Sequence, residues 1–342
     1  MSTIRLPAEW EEQAGVLLAW PHETTPWKPY LEEAGRTIAE IAAQVSRHAR
    51  VVMLTTAPAA AERALRQANA ALHRVTFCPV PTNDVWVRDF GPITVFENDR
   101  PVLLDFQFNG WGGKHPFHLD NQASAGAKQH GVFGKTHLRS VHLVLEGGSL
   151  ESDGRGTILT TRSCLTHPDR NPHLSPADLE MSLRQFLGAT RILWLEKGYL
   201  AGDDTDGHVD MLARFAPHDT LVHTNCDDAN DEHYETLSAM TRQLEEFRTP
   251  EGKPYRLIPL PWPSAKFDSL GQRMPASYAN FLVLNGAVLV PTYADPSDKP
   301  ALDAVAHAFP GRRIIGVDCS LLIRHHGSLH CVTMQIPKGA LA

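Results

Sequence analysis

The chain lacks most of the features that mark a specialised class of protein. No two of its five cysteines, at 78, 164, 226, 319 and 331, form a Cys-x-x-Cys pair, which excludes a zinc knuckle and a thioredoxin-type site. Their odd number and wide spacing fit reduced thiols, and a cytoplasmic location is the expectation that follows. No run of about 18 apolar residues occurs, so no membrane span is expected. Met1 to Pro7 leads straight to Glu9, Glu11 and Glu12, without the apolar centre of a secretory leader. Positive charge is in deficit: 32 Lys and Arg stand against 39 Asp and Glu, a formal net charge of −7. That balance disfavours nucleic acid as a partner and weakly suits a small cation. Low-complexity linkers are absent as well, and the 25 prolines and 24 glycines are spread throughout, as many short elements with tight turns require.

What is present reads as α/β. A length of 342 residues leaves open two ordinary domains or one large closed architecture. Residues Tyr30 to Arg47 place Leu31, Ala34, Ile38, Ile41, Ala42 and Val45 on one helical face. Further helices are expected over Ala59 to Leu72, over Pro176 to Leu187 with Ser175 as N-cap, over Asp231 to Phe247 and over Asp298 to Phe309. Between them lie short β-branched runs that read as strands: Val16–Trp20, Val51–Leu54, Thr94–Phe96, Val102–Phe106, Val141–Leu145, Thr157–Thr160, Arg191–Leu195, Met211–Phe215, Thr220–His223, Phe281–Leu284, Val288–Pro291, Arg313–Val317 and Val332–Ile336. Polar motifs interrupt strand-like stretches near 20, 89, 146, 208, 280 and 331. If the first and last close one ring, they mark about five units, a propeller-like array.

Four of those motifs carry chemistry. Asp89 follows Trp86-Val87-Arg88 and precedes a Phe-Gly-Pro turn, so it is either a partner of Arg88 or a buried ligand group. Glu146 ends an apolar run at Gly147-Gly148, pointing into a site or emerging into solvent. His208 and Asp210, two apart, would share one face of a strand while Val209 enters the core. Cys331, in Ser328-Leu329-His330-Cys331-Val332-Thr333, is the one thiol in polar company. Taken alone, a cysteine is more often a small buried hydrophobe. Together, a thiol, an imidazole and several carboxylates suffice for nucleophilic attack on a cationic carbon. Asn109-Gly110-Trp111-Gly112-Gly113-Lys114 lacks the spacing of a phosphate loop. His325, His326 and Cys331 are the set a metal-dependent hydrolase would use, although no His-Glu-x-x-His is present.

In these motifs the chain resembles the agmatine deiminases of the guanidino-modifying superfamily. The resemblance runs through Leu6-Pro7-Ala8-Glu9-Trp10-Glu11, Leu18-Ala19-Trp20-Pro21-His22, Asn83 to Pro92, Phe108 to Lys114, Leu145 to Ser149, Asp206 to Asp210, Ser277 to Phe281 and His330 to Thr333. It implies a five-bladed α/β-propeller, a single deiminase domain over residues 1–342, and hydrolysis of a guanidinium to a ureido group with loss of ammonia. It also implies that Asp89 and Asp210 grip the guanidinium, that Cys331 attacks, that His208 moves protons, and that Glu146 orients His208 or meets the guanidinium edge. Trp86, Trp111 and Asp204 complete the implied substrate-binding set. No cofactor and no metal are implied, and a homodimer stays open. Asp203, Asp204 and Asp206 suit a dicationic substrate such as agmatine. A bacterial-type peptidyl-arginine deiminase shares the same motifs, and a non-catalytic guanidino-binding protein is a third reading. Two departures bear on substrate: His325-His326-Gly327-Ser328-Leu329 replaces a more glycine-rich approach to the thiol, and Asp204 stands where a longer glutamate is common.

Overall fold

The computed structural model describes residues 3–342; Met1 and Ser2 lie outside them. Its strands form five separate sheets, and each contains the same unit. A first strand runs antiparallel to a second, and a third then pairs parallel to the second after a helical crossover. Ala213–Ala216, Thr220–Thr224 and Arg256–Leu260 form one such unit, with Tyr234–Glu246 as its crossover helix. Leu282–Leu284, Ala287–Thr292 and Arg313–Asp318 repeat it around Asp298–Ala308. Glu151–Ser152, Thr157–Thr161 and Arg191–Leu195 repeat it around Pro176–Leu187. Ile93–Glu97, Arg100–Gln107 and His137–Val144 repeat it around the short helix Ala123–Gln129, with Ile4–Arg5 added at the edge. The fifth unit joins the two ends of the chain. Met334–Pro337 pairs with Gln13–Ala19, which continues in parallel to Arg50–Leu54 and Val75–Cys78.

Local sequence explains these elements. Parallel strands covered on both faces read as continuous apolar runs, and Arg50–Leu54 and Ala287–Thr292 are buried along nearly their whole length. Helix Leu31–Ser46 buries Ala34, Ile38, Ile41, Ala42 and Val45, the face expected from its periodicity. Ser175 does cap Pro176–Leu187, in a reciprocal capping box with Asp178. The same helix stops at Gly188, whose φ of 69° is left-handed.

Three expectations need correction. His208 and Asp210 are not on a strand: Val209–Met211 is a single turn of 3-10 helix, and the strand begins at Ala213. Asp89 likewise sits in a helical turn, Val87–Phe90. The helix expected to reach Leu72 ends at Gln67. The strands Ile4–Arg5, Val75–Cys78, Glu151–Ser152 and Arg256–Leu260 lie outside the sequence expectation. The last of them carries Pro259, a residue that argues against a strand from sequence alone.

Candidate active site

Each chemical motif occupies an equivalent place, the tight turn that leads into the first strand of a unit. Trp86 to Asp89 precedes Ile93–Glu97, and Glu146 to Ser149 precedes Glu151–Ser152. His208 to Asp210 precedes Ala213–Ala216, Ser277 to Asn280 precedes Leu282–Leu284, and Leu329 to Cys331 precedes Met334–Pro337. Five turns from five units thus supply the site.

Gly148 locates where they converge. A Cβ at this position would lie 2.5 Å from His208 Nδ1, 2.9 Å from Asp89 Oδ1 and 3.2 Å from Asp210 Oδ2. Imidazole and two carboxylates therefore face one small space that only a glycine leaves open. Gly147 faces the other way, against the carbonyl oxygen and Cδ of Arg88 and the methyl of Met334. A pocket on that side is lined in part by Arg88, Gly147 and His330, the residues immediately before Asp89, Gly148 and Cys331.

Asp89 is buried and accepts hydrogen bonds from Trp111 Nε1 at 3.0 Å and from the Gly148 backbone N–H at 3.0 Å. Burial raises its carboxyl to about 6; His208 opposes the rise, while Asp210 and Glu146 add to it. Trp111 reaches Asp89 from a left-handed turn, with φ 55° and ψ 46°, between glycines that are also left-handed. Strained backbone of this kind costs about 1–3 kcal/mol and persists where the surroundings impose it. This turn is the run that superficially resembles a phosphate loop.

Asp210 Oδ2 accepts from His330 Nδ1 at 2.7 Å, whereas its Oδ1 is buried with no partner. Burial would raise this carboxyl, but the His330 hydrogen bond and the charges around it hold it below the usual range. His330 is pinned in turn, its Nε2 2.8 Å from Glu9 Oε2 and 3.0 Å from Arg214 Nη2. Arg214 is fully enclosed, paired with Glu9 and Glu151 and donating to the carbonyls of Ala279 and Phe281.

His208 Nδ1 lies 3.6 Å from Asp89 Oδ1, and its Nε2 lies 3.4 Å from Glu146 Oε2. Burial alone would lower the imidazole. The charge of Asp89, with hydrogen bonds to Cys164 and Glu146, more than offsets that and holds it well above its ordinary value. Glu146 is thus behind the ring, away from the convergence point. Arg170 Nε grips it at 2.9 and 2.8 Å, and the same guanidinium donates to Asp206 Oδ2 and the Thr205 carbonyl at 2.7 and 2.8 Å. Against the cost of burial, His208 and Arg170 keep Glu146 ionised.

Cys331 is only 7% exposed. Its backbone N–H and its Sγ both meet Asn280 Oδ1, at 3.3 and 3.4 Å. The amide nitrogen of Asn280 is buried without a partner. Burial pushes the thiol well above its usual range, and the negative charges of Asp210 and Asp89 push it further. The thiol loop is tied down by Ser328, whose Oγ lies 2.9 Å from the Tyr293 hydroxyl, itself bonded to the Ser277 carbonyl.

The remaining sequence-derived positions divide. Trp111 belongs to the site through Asp89. Trp86 packs on Trp27 and on Gly327, where a Cβ would come within 2.5 Å of its ring, and its side chain hydrogen-bonds Asp84. Asp204 lies toward the rim, its Oδ2 2.9 Å from His115 Nε2 and its carbonyl 2.6 Å from Lys114 Nζ. His325 and His326 do not join Cys331: His325 packs on Trp27 with centroids 4.3 Å apart, and His326 Nδ1 bonds the Gly202 carbonyl at 2.7 Å. His325, His326 and Cys331 are therefore not gathered as metal ligands. Sequence reasoning gave no role to Asn280, Arg170, Cys164, His330, Arg214 or Glu9. Asn280 and Glu9 stand in the motifs that carry the resemblance, and Arg170 stands between Pro168 and Pro172, a rigid context that could have singled it out.

Comparison with known proteins gives the family. The model of the Porphyromonas-type peptidyl-arginine deiminase family matches residues 5–337. A relative from Yersinia pseudotuberculosis, provisionally named an agmatine deiminase, is 35% identical over 353 residues, covering 97% of this chain and 95% of its own. Agmatine deiminase from C. jejuni, solved with substrate bound, superposes with a TM-score of 0.92 at 37% identity, over 99% of this chain and 97% of that one. Agmatine deiminase of Enterococcus faecalis gives a TM-score of 0.87 at 28% identity, over 98% and 96% of the two chains. The chain belongs to the Porphyromonas-type peptidyl-arginine deiminase family and is, like the agmatine deiminases it matches end to end, a hydrolase acting on a guanidino C–N bond.

Proposed function

We propose that the protein is an agmatine deiminase, converting agmatine and water to N-carbamoylputrescine and ammonia through a covalent adduct on Cys331. The observation that carries this reading is the convergence of His208, Asp89 and Asp210 on the open face of Gly148, with the Cys331 thiol in the field of the two aspartates. Five repeated units, with the chain's two ends sharing the fifth, support a closed five-bladed α/β-propeller with the site on its axis. One hydrophobic core that includes residues of all five sheets supports a single domain.

The chemistry follows from charge. Without substrate, the carboxylates around Cys331 oppose a thiolate. A guanidinium seated between Asp89 and Asp210 cancels that opposition and receives charge-assisted hydrogen bonds, including one at the unpartnered Asp210 Oδ1. Substrate binding thereby favours the nucleophile it will meet. As the guanidinium seats, the Cys331 thiol loses its proton to solvent; the thiolate sulfur then bonds to the guanidinium carbon, and His208 hands a proton to the departing nitrogen as its C–N bond breaks and it leaves as ammonia. The same imidazole then takes a proton from water, whose oxygen bonds to the thiouronium carbon. The C–S bond breaks, releasing the ureido product and the thiol. Glu146, held by Arg170, orients the ring throughout.

The acidic loop Asp203 to Asp206 supports a substrate with a distal amine. A second reading, a peptidyl-arginine substrate, is supported by the description of the matching family and by the His115 and Lys114 side chains that pair with this loop. Ammonia release from agmatine, arginine and a C-terminal arginyl peptide decides between them. Agmatine is expected to have the highest kcat/KM, and a preference for the peptide would overturn the choice of substrate.

A further inference from the structure

Cys164 is a second thiol beside the catalytic groups, and the reaction gives it nothing to do. Its Sγ lies 3.7 Å from Glu146 Oε2, and His208 Nε2 lies 3.4 Å from that same oxygen. A sulfur, an imidazole nitrogen and a carboxylate oxygen, from residues no more than 1% exposed, thus sit within 4.8 Å of one another. Zinc-class ions hold Cys sulfur at about 2.3 Å, His nitrogen at about 2.0–2.1 Å and carboxylate oxygen at about 2.0–2.2 Å. Around a tetrahedral ion these lengths separate nitrogen from oxygen by roughly 3.3 Å and sulfur from oxygen by roughly 3.5 Å. These two spacings match to a few tenths of an ångström, and the sulfur and nitrogen lie within 4.8 Å of each other.

We propose that Glu146, Cys164 and His208 bind one soft divalent cation of the zinc class, and that occupancy inhibits turnover. The inhibitory consequence rests on the deiminase reading; the binding does not. Thiolate and imidazole select zinc or cobalt over magnesium or calcium. Entry is balanced in charge: metal–sulfur, metal–nitrogen and metal–oxygen bonds form, and the Cys164 S–H proton and the His208 Nε2 proton leave to solvent. A dication replaces two protons, so the buried layer gains no net charge. The proton left on Nδ1 then belongs to a metal-bound neutral imidazole, a much weaker acid than an imidazolium, and proton delivery to the leaving nitrogen fails. Arg170 grips both oxygens of Glu146 and stays beside the ion, where Asp89, Asp206 and Asp210 offset its charge. The similarly spaced Glu9, Glu151 and His330 offer no such site, because the Arg214 guanidinium already sits among them.

The test uses the full chain with Cys331→Ala, which removes the competing thiol. Cobalt(II) is expected to give a near-ultraviolet thiolate-to-metal band with this variant and none with Cys331→Ala/Cys164→Ser. A zinc-induced rise in melting temperature should appear in the first variant only, and a cooperative melt in the second demonstrates that it is folded. No band in the first, or an unchanged band in the second, would overturn the site. In the otherwise native enzyme, zinc should suppress ammonia release, and Cys164→Ser should require at least about 10–100-fold more metal for the same inhibition. Equal sensitivity would place the inhibitory ion on Cys331 instead. Failure of the metal-free enzyme to release ammonia from any guanidino compound would sink the deiminase reading while leaving the cobalt result standing.

Discussion

Gly148→Ala probes the convergence point without replacing a reactive group. The position has no positive φ, so the backbone accepts an alanine. The new methyl would lie 2.5 Å from His208 Nδ1 and 2.9 Å from Asp89 Oδ1, about 1 Å inside ordinary contact for the first. Either the imidazole retreats by that much or the Gly148 turn does, and the turn also donates to Asp89. Overpacking of a buried position costs about 1–3 kcal/mol, which a domain of this size survives. A misplacement of about 1 Å in a catalytic group costs roughly 10²-fold, and here the methyl also takes space meant for the guanidinium. The expected result is a folded protein whose kcat/KM for agmatine, measured by ammonia release, falls by at least about 10²-fold. A variant within about threefold of the parent, a difference of less than about 1 kcal/mol, would refute the placement of the substrate between His208, Asp89 and Asp210.

Trp111→Phe removes a hydrogen bond to a buried carboxylate, worth about 1.5–3 kcal/mol, so kcat/KM should drop roughly 10–150-fold and the acid limb of its pH profile should move upward. Arg170→Gln leaves Glu146 buried without its cation, which should cost about 3–5 kcal/mol of stability by urea denaturation and lower kcat more than it raises KM. In the parent enzyme kcat/KM should climb as pH rises through about 6, where Asp89 ionises. The stability contribution of that residue runs the opposite way. Its folded value of about 6 lies above the ordinary 3.8, so the folded state binds more protons across that window, and stability falls as pH rises through it. An activity profile flat between pH 5 and about 7 would contradict this reading of Asp89.

The repeat was legible because each unit carries one polar motif, and the spacing of Asp89, Glu146, His208, Asn280 and Cys331 survives even where letters do not repeat; the crossover helix Ala123–Gln129, short and made mostly of small residues, was not expected. The local shape of the motifs was less legible. A His-x-Asp pair followed by apolar residues reads as a strand, yet at Gly207 (φ 95°) and Val209–Met211 the chain forms a turn that only then enters the sheet. The side chains still converge, because the turn of a neighbouring unit, at Gly148, sets the meeting point. Residues that act through another residue were invisible for a different reason. Arg170 matters through contacts to Glu146 and Asp206 made across 24 and 36 positions of chain, and His330 through a bond to Asp210 across 120. Spacing within a motif carries no information about such partners. Substrate preference was the hardest part to read, since Asp204 looks like a free anion in sequence and is found paired with His115.

The central claim is that Cys331 stays bonded to the former guanidinium carbon once ammonia has left. Acid-quenching the enzyme during turnover of agmatine and weighing the intact chain tests it directly. A fraction of the protein should gain the mass of agmatine less ammonia, with the added mass on the peptide that contains Cys331 and absent from Cys331→Ala. Ammonia release at the parental rate by Cys331→Ala, or an adduct found on another residue, would contradict it.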